Sequence, residues 1–274
     1  MTSNTTVTII TGASEGIGAE LARQLATRYG AGLSLVLAAR KREALDAVAD
    51  ICRAKGSQVL VLPTDVSVEA QCRALIQTTI DAFGRIDTLV NNAGVSAQAL
   101  FQDVDAQDLH WYEDLMRVNL WGSVWCTHAA LPHIKQVQGR IVAVSSLAGL
   151  IGVPGRTAYS ASKFAMTGFF EALRAELKPS GVSVTTAFPG VVLTDIRAHG
   201  LNAKGEVAGS SGLKEDKAMT VSECAYLIAT GMQKRQREVV MTAQGKLGRF
   251  LKLLLPGVVE NMAMAALKDE VKPK

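Results

Sequence analysis

Cysteine is scarce in this sequence of 274 residues, and the shortage is informative. The four cysteines, Cys52, Cys72, Cys126 and Cys224, lie far apart with no CxxC pair. Neither a zinc site nor a disulfide framework is therefore expected, and no metal is predicted. Reduced thiols in a cytoplasmic setting fit that usage. The opening MTSNTTVTII has no basic leader followed by a long apolar stretch, so no export is expected. Long hydrophobic runs are missing as well: the most apolar late stretch, 250–259, is interrupted by Lys252 and Pro256 and is too short to cross a bilayer. Peripheral contact with a membrane through this tail stays open. A dense stripe of one charge is also lacking. The 29 Lys and Arg are scattered among 25 acidic residues, and a net charge of +4 spread in this way argues against a nucleic-acid partner.

What the sequence does have is hydrophobic residues, 48% of the chain, enough to bury one large core, and a single domain over 1–274 is expected. Short β-branched runs at 7–10, 33–39, 59–62, 88–91, 141–145, 182–188 and 239–241 alternate with helical patterns at 17–29, 42–55, 68–83, 159–177 and 221–232. Runs such as LSLVLAA and QVLVL are apolar on both faces, as strands become when helices cover both sides of a parallel sheet. The pattern predicts a doubly wound α/β Rossmann fold with a mostly parallel, seven-stranded sheet. Ser67 is expected to cap the helix at 68–83, with Gly84 ending it. Residues 195–219, rich in Gly, Ser and charge, read as a mobile loop over a substrate site, and 246–274 as a helical tail broken at Pro256.

Directly after the first strand comes TGASEGIG, then a helix. Glycines let backbone approach a pyrophosphate closely, and the first helical turn offers N–H groups and the positive end of its dipole. The second strand ends on Arg40, where an NAD-binding protein would usually place an acid for the ribose hydroxyls. A cation there fits a 2′-phosphate, so the expected cofactor is NADP(H). Farther on, Tyr159 and Lys163 in YSASK are spaced i, i+4, which puts both on one face of a helix. An ammonium beside a phenol favours the phenolate and is expected to lower the tyrosine pKa towards neutrality.

Five ordered motifs surround these residues: TGASEGIG, NNAG at 91–94, Asn119 in MRVNLWG, Ser145-Ser146 with YSASK, and Pro189-Gly190. Together, over 7–194, they resemble the short-chain dehydrogenase/reductase family, and the likeness extends in character to its hydroxysteroid and lipid-ketone reductase-like members. The resemblance implies hydride transfer between NADP(H) and a carbonyl or secondary alcohol, as a ketone or aldehyde reductase or an alcohol dehydrogenase. It makes Tyr159 the general acid/base, Lys163 the ligand of the nicotinamide ribose, Ser146 the donor to the substrate oxygen, and Asn119 the holder of a relay water. It places Gly12, Ser14, Glu15, Gly16, Ile17 and Gly18 around the phosphates, and Asp65 and Val66 beside adenine. Asn92, Ala93 and Gly94 would lie under the adenosine ribose, and Pro189, Gly190, Val192 and Thr194 at the carboxamide. Glu15 departs from many NADP-preferring relatives, which carry a base there, and weakens the preference that Arg40 implies.

Pocket walls are expected at 95–101, at 147–155 and in the loop after Thr194, the first two nearly without charge, so a neutral, fairly hydrophobic substrate is expected. His199 reads as an unpaired surface histidine. Small and aromatic residues at Ala161, Ala165, Gly168, Phe169 and Ala172 give the Tyr159 helix a second apolar face. The family resemblance implies a homodimer or homotetramer through this helix and the one holding Asn119. The alternative kept beside the enzyme is an NADP(H)-binding scaffold or sensor without turnover. Epimerisation through a keto intermediate is a further one.

Overall fold

Alternation decides which face of the sheet each strand residue meets. In the computed structural model, which describes residues 5–211, 213 and 218–267, β1 (Thr6–Thr11) sends Ile10 to one core and Val7 and Ile9 to the other. In β2 (Leu33–Ala39) the odd-numbered leucines join the first core, while Val36 and Ala38 join the second. The first core is closed by α1 (Gly16–Tyr29), α2 (Arg42–Ala54) and α7 (Val221–Gln233). The second is closed by α3 (Glu69–Phe83), α5 (Gly122–Gln136) and α6 (Thr157–Leu177). Each fully buried Leu or Ile contributes about 1.5–3 kcal/mol over an exposed one, and two cores, one on each face, hold the sheet between its helices.

The remaining strands are β3 (Gln58–Pro63), β4 (Thr88–Asn91), β5 (Arg140–Val144), β6 (Ser183–Phe188) and β7 (Glu238–Val240). All seven are paired in parallel in the order β3-β2-β1-β4-β5-β6-β7. Chain order reverses between β1 and β4, and a crevice opens outside the carboxyl ends of the strands at such a switch. The doubly wound Rossmann architecture expected from the sequence is what the chain forms, with its sheet wholly parallel.

Local details depart from expectation in informative ways. Ser67 does not cap α3: its hydroxyl donates to Asp65 Oδ1 at 2.7 Å, and the N-cap residue is Val68, without a side-chain cap. Gly84 does end α3, at φ 70°, donating its N–H to Ile80 O. Two helices went unread, α4 (His110–Met116) and α5, joined by a π-helical turn over Arg117–Trp121 that holds Asn119. The tail forms α8 (Ala243–Leu254) and α9 (Pro256–Ala265), broken before Pro256 as its missing N–H requires.

The loop at 195–219 is laced rather than plain. Leu201 bridges to Ala97 and to Val207, and Leu213 to Leu267, while Trp111 Nε1 donates to Ala203 O at 3.2 Å. Residue 212, residues 214–217 of this loop and residues 268–274 of the tail lie outside the described residues.

Candidate active site

Backbone geometry makes the first half of the site. Gly12 and Gly16 adopt φ of 65° and 55°, in the left-handed region that side chains with a Cβ avoid. A Cβ on Gly12 would come within 2.7 Å of Ala93 Cα, so the turn after β1 can pass the strand end of β4 only as glycine. Asn92 locks that contact by donating from Nδ2 to Thr11 O and Gly12 O at 3.0 and 3.1 Å. Thr11 Oγ1 in return accepts from the N–H groups of Asn92 and Ala93. Gly18 has a packing role, since a Cβ there would meet Gly12 O at 2.3 Å, and it does not line the cavity.

Glu15, the N-cap of α1, makes no side-chain cap, so the helix's first turn opens on a cavity of about 1690 Å³. Ser14, Glu15, Gly16 and Ile17 line that cavity, as do Arg40, Asp65, Val66, Asn92, Ala93 and Gly94. Arg40 is exposed and, among the described residues, has neither an ion pair nor a side-chain hydrogen bond. Glu15 turns its carboxylate to His199, with Oε1 3.6 Å from Nδ1. His199 is exposed, as expected, and lines the cavity beside Glu15.

A dinucleotide fits what is present. Left-handed glycines, an uncapped helix N-terminus and a cation without a partner lie along one side of a cavity large enough for it. Pro189, Gly190, Val192 and Thr194 line the same cavity after β6, where Pro189 O accepts from Leu147 N at 2.9 Å and Val192 bridges to Met219. Thr194 also closes over the glycine turn, its Cγ2 lying 3.4 Å from where a Gly16 Cβ would stand.

Side chains make the second half. Ser146, just beyond β5, caps a short 3-10 turn by accepting from Ala148 N at 3.1 Å. That contact occupies a lone pair and leaves the hydroxyl hydrogen to give. Ser145 is structural: its Oγ donates to Lys163 O at 3.2 Å and shares a hydrogen bond with Thr167, pinning α6 to the strand end. Tyr159 and Lys163 are both buried on the same face of α6 and line the cavity.

Their electrostatics differ from expectation. Lys163 Nζ donates to Val144 O at 2.9 Å and stands 5.9 Å from the Tyr159 ring centroid. Burial brings its pKa down to about 8, so the ammonium is itself partly discharged near neutrality. Burial holds the Tyr159 phenol above its ordinary value, while Arg156, a hydrogen bond with Ser146, and Arg197 pull the other way. The cations that favour the phenolate thus include Arg156 and Arg197, neither of which the YSASK spacing announces.

Asn119 is fully buried and does not line the cavity. Its Oδ1 accepts from Val95 N at 2.8 Å, and its Nδ2 donates to Val95 O and Ser162 Oγ. Both amide hydrogens and one lone pair of Oδ1 are thereby used, and through Ser162 the side chain braces the helix turn that carries Lys163.

Arg156 and Arg197, each 7% exposed, line the cavity and escaped the sequence reading. The signal available was spacing: Arg156 precedes Tyr159 by three positions, one helical turn, whereas the charge-free wall was drawn only to residue 155. Met262, Ala263, Ala265 and Ala266 bring α9 to the cavity mouth, while Phe250, Leu253, Leu254 and Leu255 stay more than half exposed. No helix among the described residues is long and apolar enough to cross a membrane.

A parallel sheet with a glycine turn at its switch point and a Ser, Tyr and Lys set beside it defines a nucleotide-dependent oxidoreductase architecture. The family model for short chain dehydrogenase matches residues 6–204, and the chain belongs to that family. The 11-beta-hydroxysteroid dehydrogenase-like 4A of Arabidopsis thaliana is 46% identical over 190 residues, 69% of this chain and 62% of that protein. The 11-beta-hydroxysteroid dehydrogenase-like 2 of the same plant is 35% identical over 269 residues, covering 97% of this chain and 83% of its own length. The chain therefore spans less than two thirds of the first relative and most of the second. A short chain dehydrogenase/reductase from Burkholderia phymatum, solved in complex with NAD, superposes with a TM-score of 0.77 at 26% identity, covering 94% of this chain and 96% of that one.

Proposed function

We propose that the chain uses NADP(H) to interconvert a carbonyl and a secondary alcohol on a substrate with an apolar body, as a ketone or aldehyde reductase or, in reverse, an alcohol dehydrogenase. The observation that carries this reading is that Tyr159 and Ser146 line the same cavity as the glycine turn and Arg40. Hydroxysteroid dehydrogenase-like relatives and a reductase solved with NAD support the reaction class. The choice of NADP rests on Arg40, whose unpartnered guanidinium suits a phosphate as no acid in its place could.

The bound nicotinamide would supply or accept the hydride. Around it the chain's own groups divide the remaining work. Because burial keeps the phenol protonated at neutral pH, Tyr159 is set to donate to a carbonyl oxygen as negative charge develops there. Ser146 gives its hydroxyl hydrogen to the same oxygen, oriented by the Ala148 N–H behind it. Lys163, with a pKa of about 8, exchanges protons near neutrality and can resupply the phenol. Leu147, Val153 and Val192 line the site and exclude water from it.

The test is NADPH oxidation followed at 340 nm with a panel of aryl and alicyclic ketones and aldehydes. Turnover with at least one carbonyl is expected. Tight NADPH binding without turnover of any would contradict the enzyme reading and favour a nucleotide-binding scaffold.

A further inference from the structure

The mechanism above leaves Arg156 unused, although it lies beside the reacting groups. It is the N-cap residue of α6, and its Cζ stands over the Tyr159 ring, 5.3 Å from the centroid. Nη2 donates to Ser96 Oγ at 3.1 Å, whereas Nε is buried with no partner. Among the described residues no carboxylate pairs with this guanidinium; the ionisable groups acting on it are Tyr159 and a second cation, Arg197. Arg197 lines the same cavity, with Nη2 donating to Val192 O at 2.9 Å and Nε to Ser211 Oγ at 3.1 Å. A buried charge is costly unless something pairs with it, and a guanidinium does not escape by losing its proton. Tyr159 does not supply the missing anion, because its phenol stays protonated at neutral pH.

We infer that Arg156 is an anion subsite of the substrate pocket: the substrate carries a carboxylate, or a comparable charged group, close to its carbonyl. The guanidinium forms part of the cavity wall, and its planar fork of N–H groups matches a carboxylate in both shape and charge. Apolar walls then take the rest of the molecule. The inference rests on the hydride-transfer reading and revises its substrate from a neutral compound to an amphipathic oxo acid.

The experiment compares 4-oxo-4-phenylbutanoate with its methyl ester, titrated calorimetrically into the full chain with and without NADP+, for the parent, Arg156→Met and Arg156→Lys. Values of kcat/KM for both compounds with NADPH are taken alongside. The parent is expected to bind the acid about ten- to hundredfold more tightly than the ester, the range a charged hydrogen bond supports. Arg156→Met should erase that ratio, and Arg156→Lys, which keeps the charge but loses the fork, should reduce it; if the Met variant does not fold, the Lys variant decides. Equal binding of acid and ester by the parent, no binding of the acid, or a ratio untouched by substitution overturns the subsite. A change in the pH profile common to both compounds at constant ratio overturns it too, and assigns Arg156 to the ionisation of Tyr159. Titration reads the subsite whether or not hydride moves. An acid preference without turnover would thus sink the proposed function while leaving the subsite in place.

Discussion

At the nucleotide end the cavity wall is backbone, whereas at the carbonyl end it is side chain brought in from distant loops. Gly12, Gly16 and the uncapped start of α1 shape the first region from a single stretch of eight residues, and Asn92 fastens it to β4. Ser146, Arg156, Tyr159 and Arg197 shape the second from beyond β5, from α6 and from the loop after β6. A backbone site tolerates few replacements but recognises only what the fold recognises in general. A side-chain site is where one family member differs from another, and here it holds buried positive charge.

Breaking the comparison from the nucleotide side should give the larger effect. Arg40→Asp replaces an unpartnered cation with an acid able to accept from ribose hydroxyls. The NADPH-to-NADH ratio of kcat/KM is expected to fall about ten- to hundredfold, the value of a charged hydrogen bond and its electrostatics. An unchanged ratio would mean that Glu15 or another group governs the choice.

A smaller effect should sharpen the comparison from the other side. Lys163 has its pKa lowered from 10.5 to about 8, so the native state binds fewer protons than the unfolded chain between those values. The burial penalty is full below about pH 8 and is relieved as pH rises towards 10.5. Lys163→Met, which also removes the bond to Val144 O, should therefore unfold later than the parent at pH 7, by about 1–2 kcal/mol, with the advantage fading as pH approaches 10. Denaturant unfolding at pH 7 and pH 10 checks this; a gain that does not fade would show that the charge is not the cause.

Legibility followed the same divide. Strands with apolar residues on both faces and a glycine turn leave a local imprint, so the sheet, its helical layers and the nucleotide wall were readable. The stretch at 106–136 was not, because Gly122 and Pro132 interrupt the helical pattern and a π turn shifts its register at Asn119. Ser67 misled because the helix begins one residue later, with Val68 as its N-cap, and the Ser67 hydroxyl is turned back to Asp65 instead of accepting from the free N–H groups of the first turn. The YSASK spacing placed Tyr159 and Lys163 together correctly, but spacing says nothing of where an ammonium points, and Nζ turns to Val144 O. Arg197 comes from a loop whose backbone bridges leave no periodic trace in sequence.

The most direct test of the account is Tyr159→Phe, assayed for NADPH binding by fluorescence and for carbonyl reduction at 340 nm on the same preparation. Nucleotide affinity within a factor of about two, together with a loss of about 10²–10⁴ in kcat, is the expected result for removing a general acid. Reduction at the parent's rate by the phenylalanine variant would contradict it.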